Sequence, residues 1–212
     1  MDMAAEQALA SYMDEYFYAR LIETGELSAV ERIHDIEMQK KGVDVIAEKN
    51  DDKAYIDEKG QLYYINQGLP TFAFELGYLK DGRSCIGWLL NDELLTSRYF
   101  LLWPEAETDD LSILTKDMFT SVYGMMIKKE DLINFLDENG LFRETLLRVE
   151  KELRRQGKQG KHRSLMDGVY FFLSSSESYS EAPINLVISK KILRELASAC
   201  YKITPNELIR IK

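Results

Sequence analysis

The stretch GVDVIAEKNDDKAYIDEKG, residues 42–60, contains two segments of strand-like composition on either side of a polar turn. The segments are residues 42–48 and 53–59, and the Lys-Asn-Asp-Asp sequence between them is typical of a hairpin. A two-residue loop pairs Lys49 with Asp52, and a four-residue loop at residues 49–52 gives the same register. In that register Asp44 lies directly opposite Asp57.

Two opposed aspartates predict a site for a cation. Residues directly opposite on neighbouring strands have Cβ atoms about 4.5–5.5 Å apart, and like charges at that spacing destabilise a sheet. A divalent cation compensates such a pair, and Mg²⁺ prefers one or two carboxylates together with water and phosphate oxygens. Because strand side chains alternate, Lys59 points to the same side as Asp57. Lys59 is therefore placed to orient or deprotonate an attacking water.

The flanking sequence predicts helices and further strands. Residues 28–42 predict a helix, since Ser28 and Glu31 form a capping box, Gly42 suits a C-terminal cap, and apolar residues recur at helical spacing. Pro104 is expected to end a strand. Further strands are expected at residues 71–79, 84–90, 98–103, 169–173 and 185–189, and further helices at residues 3–22, 129–139, 142–156 and 190–201.

These motifs resemble those of the PD-(D/E)xK nuclease superfamily. The first motif is Gly42-Val43-Asp44, with valine where the superfamily's name has proline, and the second is Asp57-Glu58-Lys59. A helix over residues 29–41 followed by three strands is similar to the family's αβββ core. The resemblance covers residues 28–103. It implies an α+β (α/β) protein with a restriction-endonuclease-like fold, in which helices flank a mixed central sheet, and here the C-terminal half is elaborated.

The resemblance also implies an activity, namely metal-dependent hydrolysis of nucleic-acid phosphodiester bonds. Asp44 and Asp57 would be the ligands of Mg²⁺ or Mn²⁺, and Lys59 would be the catalytic lysine. Members of the family often add an acidic residue from the preceding helix, for which Glu37 is the better candidate and Glu31 the weaker one. DNA is favoured over RNA as the substrate.

Three other residues are weaker candidates for the site. Glu75 is the one charged residue of residues 71–79 and shares its strand face with small residues, so it is a candidate to line a cleft. Gln61, just beyond the lysine, is a candidate helper, and His34 is a candidate ligand on the predicted helix. Each also has an ordinary structural interpretation, as a buried or solvated polar side chain.

The net charge of −9 excludes a uniformly basic nucleic-acid-binding surface, but basic residues are locally concentrated. Residues 148–163 contain seven Lys or Arg against two Glu, and the alternative to phosphate binding is a solvated helix face followed by a mobile loop. Two further lysines immediately precede the hairpin. The candidate nucleic-acid-binding residues are Lys40, Lys41, Arg154, Arg155, Lys158, Lys161 and Arg163.

The sequence predicts one domain over residues 1–212, with an N-terminal helix at 1–27, the nuclease-like core at 28–103 and helical and β additions at 104–212. The longest apolar runs are five residues, against the roughly 20 needed to span a bilayer, so we expect a cytoplasmic protein without a membrane partner. The acidic, Tyr-rich first helix suits a homodimer interface. The alternatives to a nuclease are a catalytically inactive binding or regulatory protein on the same fold and an unrelated α+β interaction domain.

Overall fold

The computed structural model describes residues 3–164, 166–175 and 181–212 and shows a mixed α/β chain. The chain divides into two compact units. Unit 1 comprises Met1–Leu69, Leu95–Lys129 and Leu196–Lys212, and unit 2 comprises Pro70–Leu94 and Glu130–Glu195. No helix among the described residues is both long and apolar enough to cross a membrane.

The described strands and helices are numbered here in chain order. The strands are β1 (Ala29–Arg32), β2 (Val45–Lys49), β3 (Asp52–Gly60), β4 (Thr71–Lys80), β5 (Arg83–Ile86), β6 (Arg98–Ala106), β7 (Phe119–Lys128), β8 (Gly160–Arg163), β9 (Val169–Leu173), β10 (Ile184–Ser189), β11 (Ala199–Ile203) and β12 (Leu208–Arg210). The α-helices are α1 (Met3–Met13), α2 (Ala19–Glu23), α3 (Ile36–Lys40), α4 (Lys129–Glu138), α5 (Arg143–Gln156) and α6 (Lys190–Leu196). A π-helical turn, Asp14–Tyr18, joins α1 to α2, and short 3₁₀ turns lie at Leu62–Tyr64, Leu111–Ile113 and Lys116–Met118.

Unit 1 contains a seven-stranded mixed sheet in the order β1-β2-β3-β6-β7-β11-β12. The β3–β6 pair is parallel and the other neighbours are antiparallel. One face of this sheet packs against the N-terminal helical segment, residues 3–23, through a buried cluster that includes Tyr12, Phe17, Ile56 and Phe100. We call this side of the sheet the helix-covered face.

The β2–β3 hairpin has the register that the sequence predicts. Lys49 pairs with Asp52 and Val45 pairs with Ile56, the last pair of the ladder, and the Asp44 N–H just beyond it donates to the Ile56 carbonyl. The turn residues Asn50 and Asp51 have φ angles of +49° and +70°, the left-handed values that a two-residue type I′ turn requires. The local turn therefore sets which side chains meet across the hairpin.

The predicted helix over residues 28–42 is wrong. The first part is strand β1, which pairs antiparallel with β2, and the Ser28 hydroxyl donates to the Glu48 carbonyl instead of capping a helix. Val30 and Arg32 are half-buried while their neighbours are exposed, which is the two-residue period of a strand. Only α3 remains helical, and the Asp35 side chain caps it by accepting from the Met38 N–H.

Several other boundaries also differ from the sequence predictions. The last predicted helix ends at Leu196, and the residues that follow form β11. Strand β6 runs through Pro104, and β7 and β8 occupy residues for which no strand was expected. The strand at residues 169–173 is confirmed at its predicted bounds, and those at 71–79 and 185–189 are confirmed to within a residue.

Unit 2 contains a five-stranded antiparallel sheet in the order β5-β4-β10-β9-β8, with α5 packed on β4 and β10. The contact between α5 and β4 is close. A Cβ built on Gly77 would lie 2.8 Å from Oε1 of the buried Glu150, so a larger residue there would displace the Glu150 carboxylate.

Candidate functional site

Asp44 and Asp57 meet where the β2–β3 hairpin opens. Asp44 immediately precedes β2, and its backbone N–H donates to the Ile56 carbonyl at 2.9 Å. Its carboxylate turns towards β3, where Oδ2 accepts the Glu58 backbone N–H at 2.8 Å. At that position its charge and hydrogen-bonding capacity act directly on Asp57. The structure therefore brings together the two carboxylates that the register predicts to be neighbours.

The Asp57 carboxyl group is buried and its two oxygens have different surroundings. Oδ1 lies 2.7 Å from Lys59 Nζ, whereas Oδ2 accepts no hydrogen bond from any described residue. Burial raises the pKa of Asp57 to about 7; Lys59 opposes the rise, and the neighbouring Asp44 charge adds to it. Near neutral pH this group is therefore divided between a neutral acid and a buried anion that is only partly compensated.

Tyr99 borders the carboxylate on the next strand. It is the register partner of Asp57 across the parallel β3–β6 pair and is completely buried. Burial raises the pKa of the Tyr99 hydroxyl, and the Asp57 charge raises it further. Tyr99 is therefore a neutral phenol at physiological pH and does not supply a negative charge to this site.

An ion-pair network lies on the helix-covered face, behind the aspartates. Glu58 projects from β3 to the side opposite Asp57, where it accepts from Tyr18 Oη at 2.8 Å and from Arg32 Nη1 at 2.5 Å. Arg32 also contacts Asp14 Oδ1 at 2.6 Å. Burial raises the pKa of Glu58, while Arg32 and Tyr18 hold its charged form.

This network was not predicted from the sequence. Burial by itself would lower the pKa of Arg32, but Glu58 and Asp14 raise it above its ordinary value, so the guanidinium is firmly charged. The Glu58 backbone N–H donates a hydrogen bond to the Asp44 carboxylate. Fixing the Glu58 side chain therefore also fixes the position of this donor. One feature of the sequence could have indicated the network. Side chains alternate along a strand, so Glu58 points to the opposite face from Asp57 and Lys59.

Other predicted site residues in unit 1 lie elsewhere. Glu37 is exposed on α3 and its carboxylate pairs with Lys40 at 2.8 Å, so it is not part of the Asp44–Asp57 pair. Lys41 is exposed at the end of the same helix. Glu31 and His34 are exposed, on β1 and in the loop before α3.

The remaining predicted site residues belong to unit 2. Glu75 is half-buried on β4, where it is the register partner of Asn185. Arg154 pairs with Glu150 and Arg155 pairs with Glu152, each at 2.7 Å. Lys161 Nζ lies 4.0 Å from the ring centroid of Tyr170 on β9.

Two members of the basic group, Lys158 and Arg163, are exposed. The segment that was expected to be mobile contains strand β8, which places Arg163 at its end. The basic residues therefore divide into arginines neutralised by glutamates on α5 and cations at or near β8.

The chemistry of the site fits a hard cation held by two carboxylates. Within the described residues no group of three His, Cys, Asp or Glu side chains is arranged to hold a metal ion. Mg²⁺ commonly uses only one or two carboxylates and completes its coordination with water and phosphate oxygens. Asp44 and Asp57 supply that number, and Oδ2 of the buried Asp57 has no hydrogen-bond partner among the described residues.

Comparison with known proteins found no similar protein. A scan against protein-family models, a search of curated proteins and a search of solved structures each returned no match.

Proposed function

We propose that this protein is a divalent-metal-dependent nuclease of the PD-(D/E)xK type with a restriction-endonuclease-like core. The observation that carries the proposal is the meeting of Asp44, Asp57 and Lys59 at one end of the β2–β3 hairpin. Asp57 is buried with one oxygen on Lys59 and the other without a partner, beside a second carboxylate. A buried pair of like charges is unfavourable unless a cation or a shared proton compensates it.

Unit 1 contains one part of the predicted core, the β2–β3 hairpin. Three antiparallel strands, β1, β2 and β3, follow the N-terminal helical segment, residues 3–23. The helix-strand-strand-strand core that the sequence predicted over residues 28–103 is not formed as expected, because β1 replaces the first part of the helix, α3 lies between β1 and β2, and the third predicted strand, β4, belongs to the sheet of unit 2. In this arrangement the acidic residue that the preceding helical segment directs towards the motif strand is Asp14, which reaches Glu58 through Arg32.

Each residue of the site has a distinct role in the proposal. Asp44 and Asp57 hold Mg²⁺ or Mn²⁺, which when bound neutralises the two carboxylates and polarises phosphate oxygen and water. Lys59 is partly exposed while its partner Asp57 is buried, so its ammonium can reach a phosphate oxygen or a water without leaving the carboxylate. Lys59 thereby stabilises negative charge that develops on phosphorus, or exchanges a proton with the attacking water.

The substrate in this proposal is nucleic acid, with DNA favoured over RNA. Lys40 and Lys41 end the helix that precedes Asp44, and Lys158, Lys161 and Arg163 provide a separate basic group in unit 2. Lysine and arginine bind phosphates through charge without reading the base sequence. Such a group suits a protein whose net negative charge excludes general wrapping of nucleic acid.

The test combines metal binding with cleavage of a supercoiled plasmid and of a single-stranded RNA. We expect Mn²⁺ binding by calorimetry in the wild type, loss of binding and cleavage in Asp57→Asn, and retained binding without cleavage in Lys59→Met. Glu37→Gln is the matched control, because Glu37 is exposed and paired with Lys40, and it should leave both readouts unchanged. A wild-type chain that neither binds Mn²⁺ nor cleaves either substrate would overturn the proposal.

A second candidate function is a catalytically inactive binding or regulatory protein on the same core. The observation that favours it is the Lys59–Asp57 contact, in which an ammonium group already occupies one carboxylate oxygen. In that case Lys59 would replace the metal as the compensating charge. Folding would then be insensitive to Mn²⁺ and to chelators, whereas a metal-dependent enzyme is stabilised by the ion that it binds.

A further inference from the structure

Unit 1 contains a cavity of about 520 Å³ on the helix-covered face of its sheet. Its floor includes Ala47 and Ala54, which are register partners on β2 and β3, and Ala199 on β11. On the same face the next positions along β2 and β3 carry the larger Val45 and Ile56. The cavity therefore exists because these positions carry only methyl side chains, whereas the larger neighbouring side chains fill the space beneath the helical segment.

The walls of the cavity are mostly apolar and aromatic. Phe17 and Leu21 line it from the helical segment, and Ile56, Met126 and Tyr201 line it from the sheet. The rings of Phe17 and Tyr201 have centroids 4.9 Å apart and pack edge to face, so they contact each other and form one continuous aromatic wall. Small-molecule sites are commonly about 300–1,000 Å³ in volume, mostly apolar, with a few polar groups that fix orientation.

The mouth of the cavity supplies those polar groups, and cations predominate among them. Arg210 lies 3.9 Å from Glu26, another charged residue of the lining. Arg98 and Lys49 also line the mouth, and neither has an ion-pair partner among the described residues. Asp52, the register partner of Lys49, also lines the cavity. Arg98 is therefore the lining cation that has neither an ion-pair partner nor an acidic register partner among the described residues.

We infer that this cavity binds a small amphipathic anion, with an apolar or aromatic body packed against the contacting rings of Phe17 and Tyr201 and a carboxylate, sulfonate or phosphate at Arg98. The inference does not depend on the proposed nuclease activity. Ile56 lines the cavity, and the next residue, Asp57, projects from the opposite face of β3, so the two sites lie on different sides of the sheet.

The test uses two probes with the same aromatic body. 8-Anilinonaphthalene-1-sulfonate carries an anionic group, and N-phenyl-1-naphthylamine lacks it. We expect the full chain to bind both, with fluorescence enhancement and a saturable titration. Arg98→Gln should weaken the sulfonate about tenfold, as expected for the loss of one charge-assisted hydrogen bond, and leave the neutral probe unchanged. Ala54→Leu should weaken both probes at least about tenfold by filling the floor.

The controls separate this site from general surface binding. Arg148→Gln removes an exposed cation of α5 and should leave both affinities unchanged. Thermal unfolding midpoints show whether each variant folds, and if Ala54→Leu does not fold, the two-probe comparison in Arg98→Gln decides. Failure of the wild type to bind either probe would overturn the inference. Equal weakening of both probes in Arg98→Gln, or no effect of that variant on the sulfonate, would also overturn it.

Discussion

Lys59 Nζ lies 2.7 Å from Asp57 Oδ1, yet the Lys59 side chain is 30% exposed and the Asp57 side chain only 3%. The pair is therefore asymmetric. The carboxylate has lost nearly all of its hydration, while the ammonium retains access to water or to a bound molecule. Burial raises the pKa of Asp57, and the first two predictions concern this group.

The first prediction is that Asp57→Asn flattens the pH dependence of stability. The folded-state pKa of Asp57 is raised from 3.8 to about 7, mainly by burial, so the folded state binds the additional proton between these values. The stability that this proton supplies is present below pH 3.8 and is lost as the pH rises through 7. Asparagine resembles the neutral acid and carries no such dependence.

The measurement is urea unfolding of wild type and variant at pH 5 and pH 8. We expect the unfolding free energy of the variant, relative to wild type, to be greater at pH 8 than at pH 5 by about 2 kcal/mol, because one pKa unit corresponds to about 1.4 kcal/mol. Other titrating groups are common to both proteins and cancel in the difference. An equal difference at the two pH values would contradict a raised pKa at Asp57.

The second prediction is that Lys59→Met raises the pKa of Asp57 further, because it removes the charge that opposes the effect of burial. An adjacent opposite charge lowers a carboxyl pKa by about 1–3 units, so a rise of at least about one unit is expected. Asp44→Asn should shift the pKa in the opposite direction. Carboxyl ¹³C chemical shifts followed by NMR over a pH titration measure both, and Lys40→Met is the distant control.

The third prediction is that Arg32→Met is strongly destabilising. Arg32 and Glu58 are largely buried, with side chains 14% and 9% exposed, and removing one partner leaves the other charge uncompensated. Breaking a buried pair in this way costs about 3–5 kcal/mol. The double variant Arg32→Met, Glu58→Leu should recover part of that loss, because no unpaired charge remains.

A matched control for Arg32 is Lys53→Met, which breaks the Lys53–Glu48 pair at 2.7 Å on an exposed part of the same hairpin. Exposed pairs contribute about 0–1 kcal/mol, so little change is expected. Denaturant unfolding measures all three variants. Similar losses in Arg32→Met and Lys53→Met would show that the buried network does not contribute as proposed here.

The fourth prediction concerns the hairpin turn. Asp51 has a φ of +70°, a value that glycine adopts without steric cost. We expect Asp51→Gly, which creates the favoured Asn-Gly type I′ turn, to raise the unfolding free energy by about 0.5–1 kcal/mol. Asp52→Gly, one residue further along in β3, should instead lower it, since glycine weakens a strand.

The fifth prediction separates the two classes of basic residue. Lys158 and Arg163 are exposed, whereas Arg155 already pairs with Glu152. If the proposed nucleic-acid contacts involve the first class, Lys158→Gln with Arg163→Gln should reduce the salt dependence of DNA binding by about 0.9 per lost phosphate contact. Arg155→Gln should change it less. Fluorescence anisotropy at several salt concentrations measures the slopes, and equal slopes in wild type and double variant would exclude these residues from the interface.

The hairpin register could be predicted because it depends on a local feature. Asn50 and Asp51 tolerate left-handed backbone angles, and the turn they form fixes the pairs from Lys49–Asp52 to Val45–Ile56, which bring Asp44 close to Asp57. The helix over residues 28–42 could not be excluded locally. The spacing of Val30 and Ile33 suits a helix, but pairing of β1 with β2 gives this segment a strand conformation that depends on residues more than a dozen positions away.

The site was predictable only on one face of β3. Asp57 and Lys59 follow from the motif, whereas the Arg32–Glu58 pair requires knowing that β1 turns a charged residue inward. The arginines of α5 show the converse, since their partners could have been read from spacing. Glu150 and Arg154 are four residues apart and Glu152 and Arg155 three, which are the separations of ion pairs along a helix.

The π-helical turn at Asp14–Tyr18 determines how α1, which precedes it, is rotated about the helix axis. Such a turn contains one residue more than the α-helical turn it replaces, and one residue corresponds to about 100° about the helix axis. Deleting a single residue there would leave an ordinary α-helix. It would also rotate the apolar side of α1, with Leu9 and Tyr12, away from the sheet. The extra residue thus corrects the rotation of α1 about the helix axis. One helical segment can therefore cover the sheet and also place Asp14 and Tyr18 beside the Arg32–Glu58 pair.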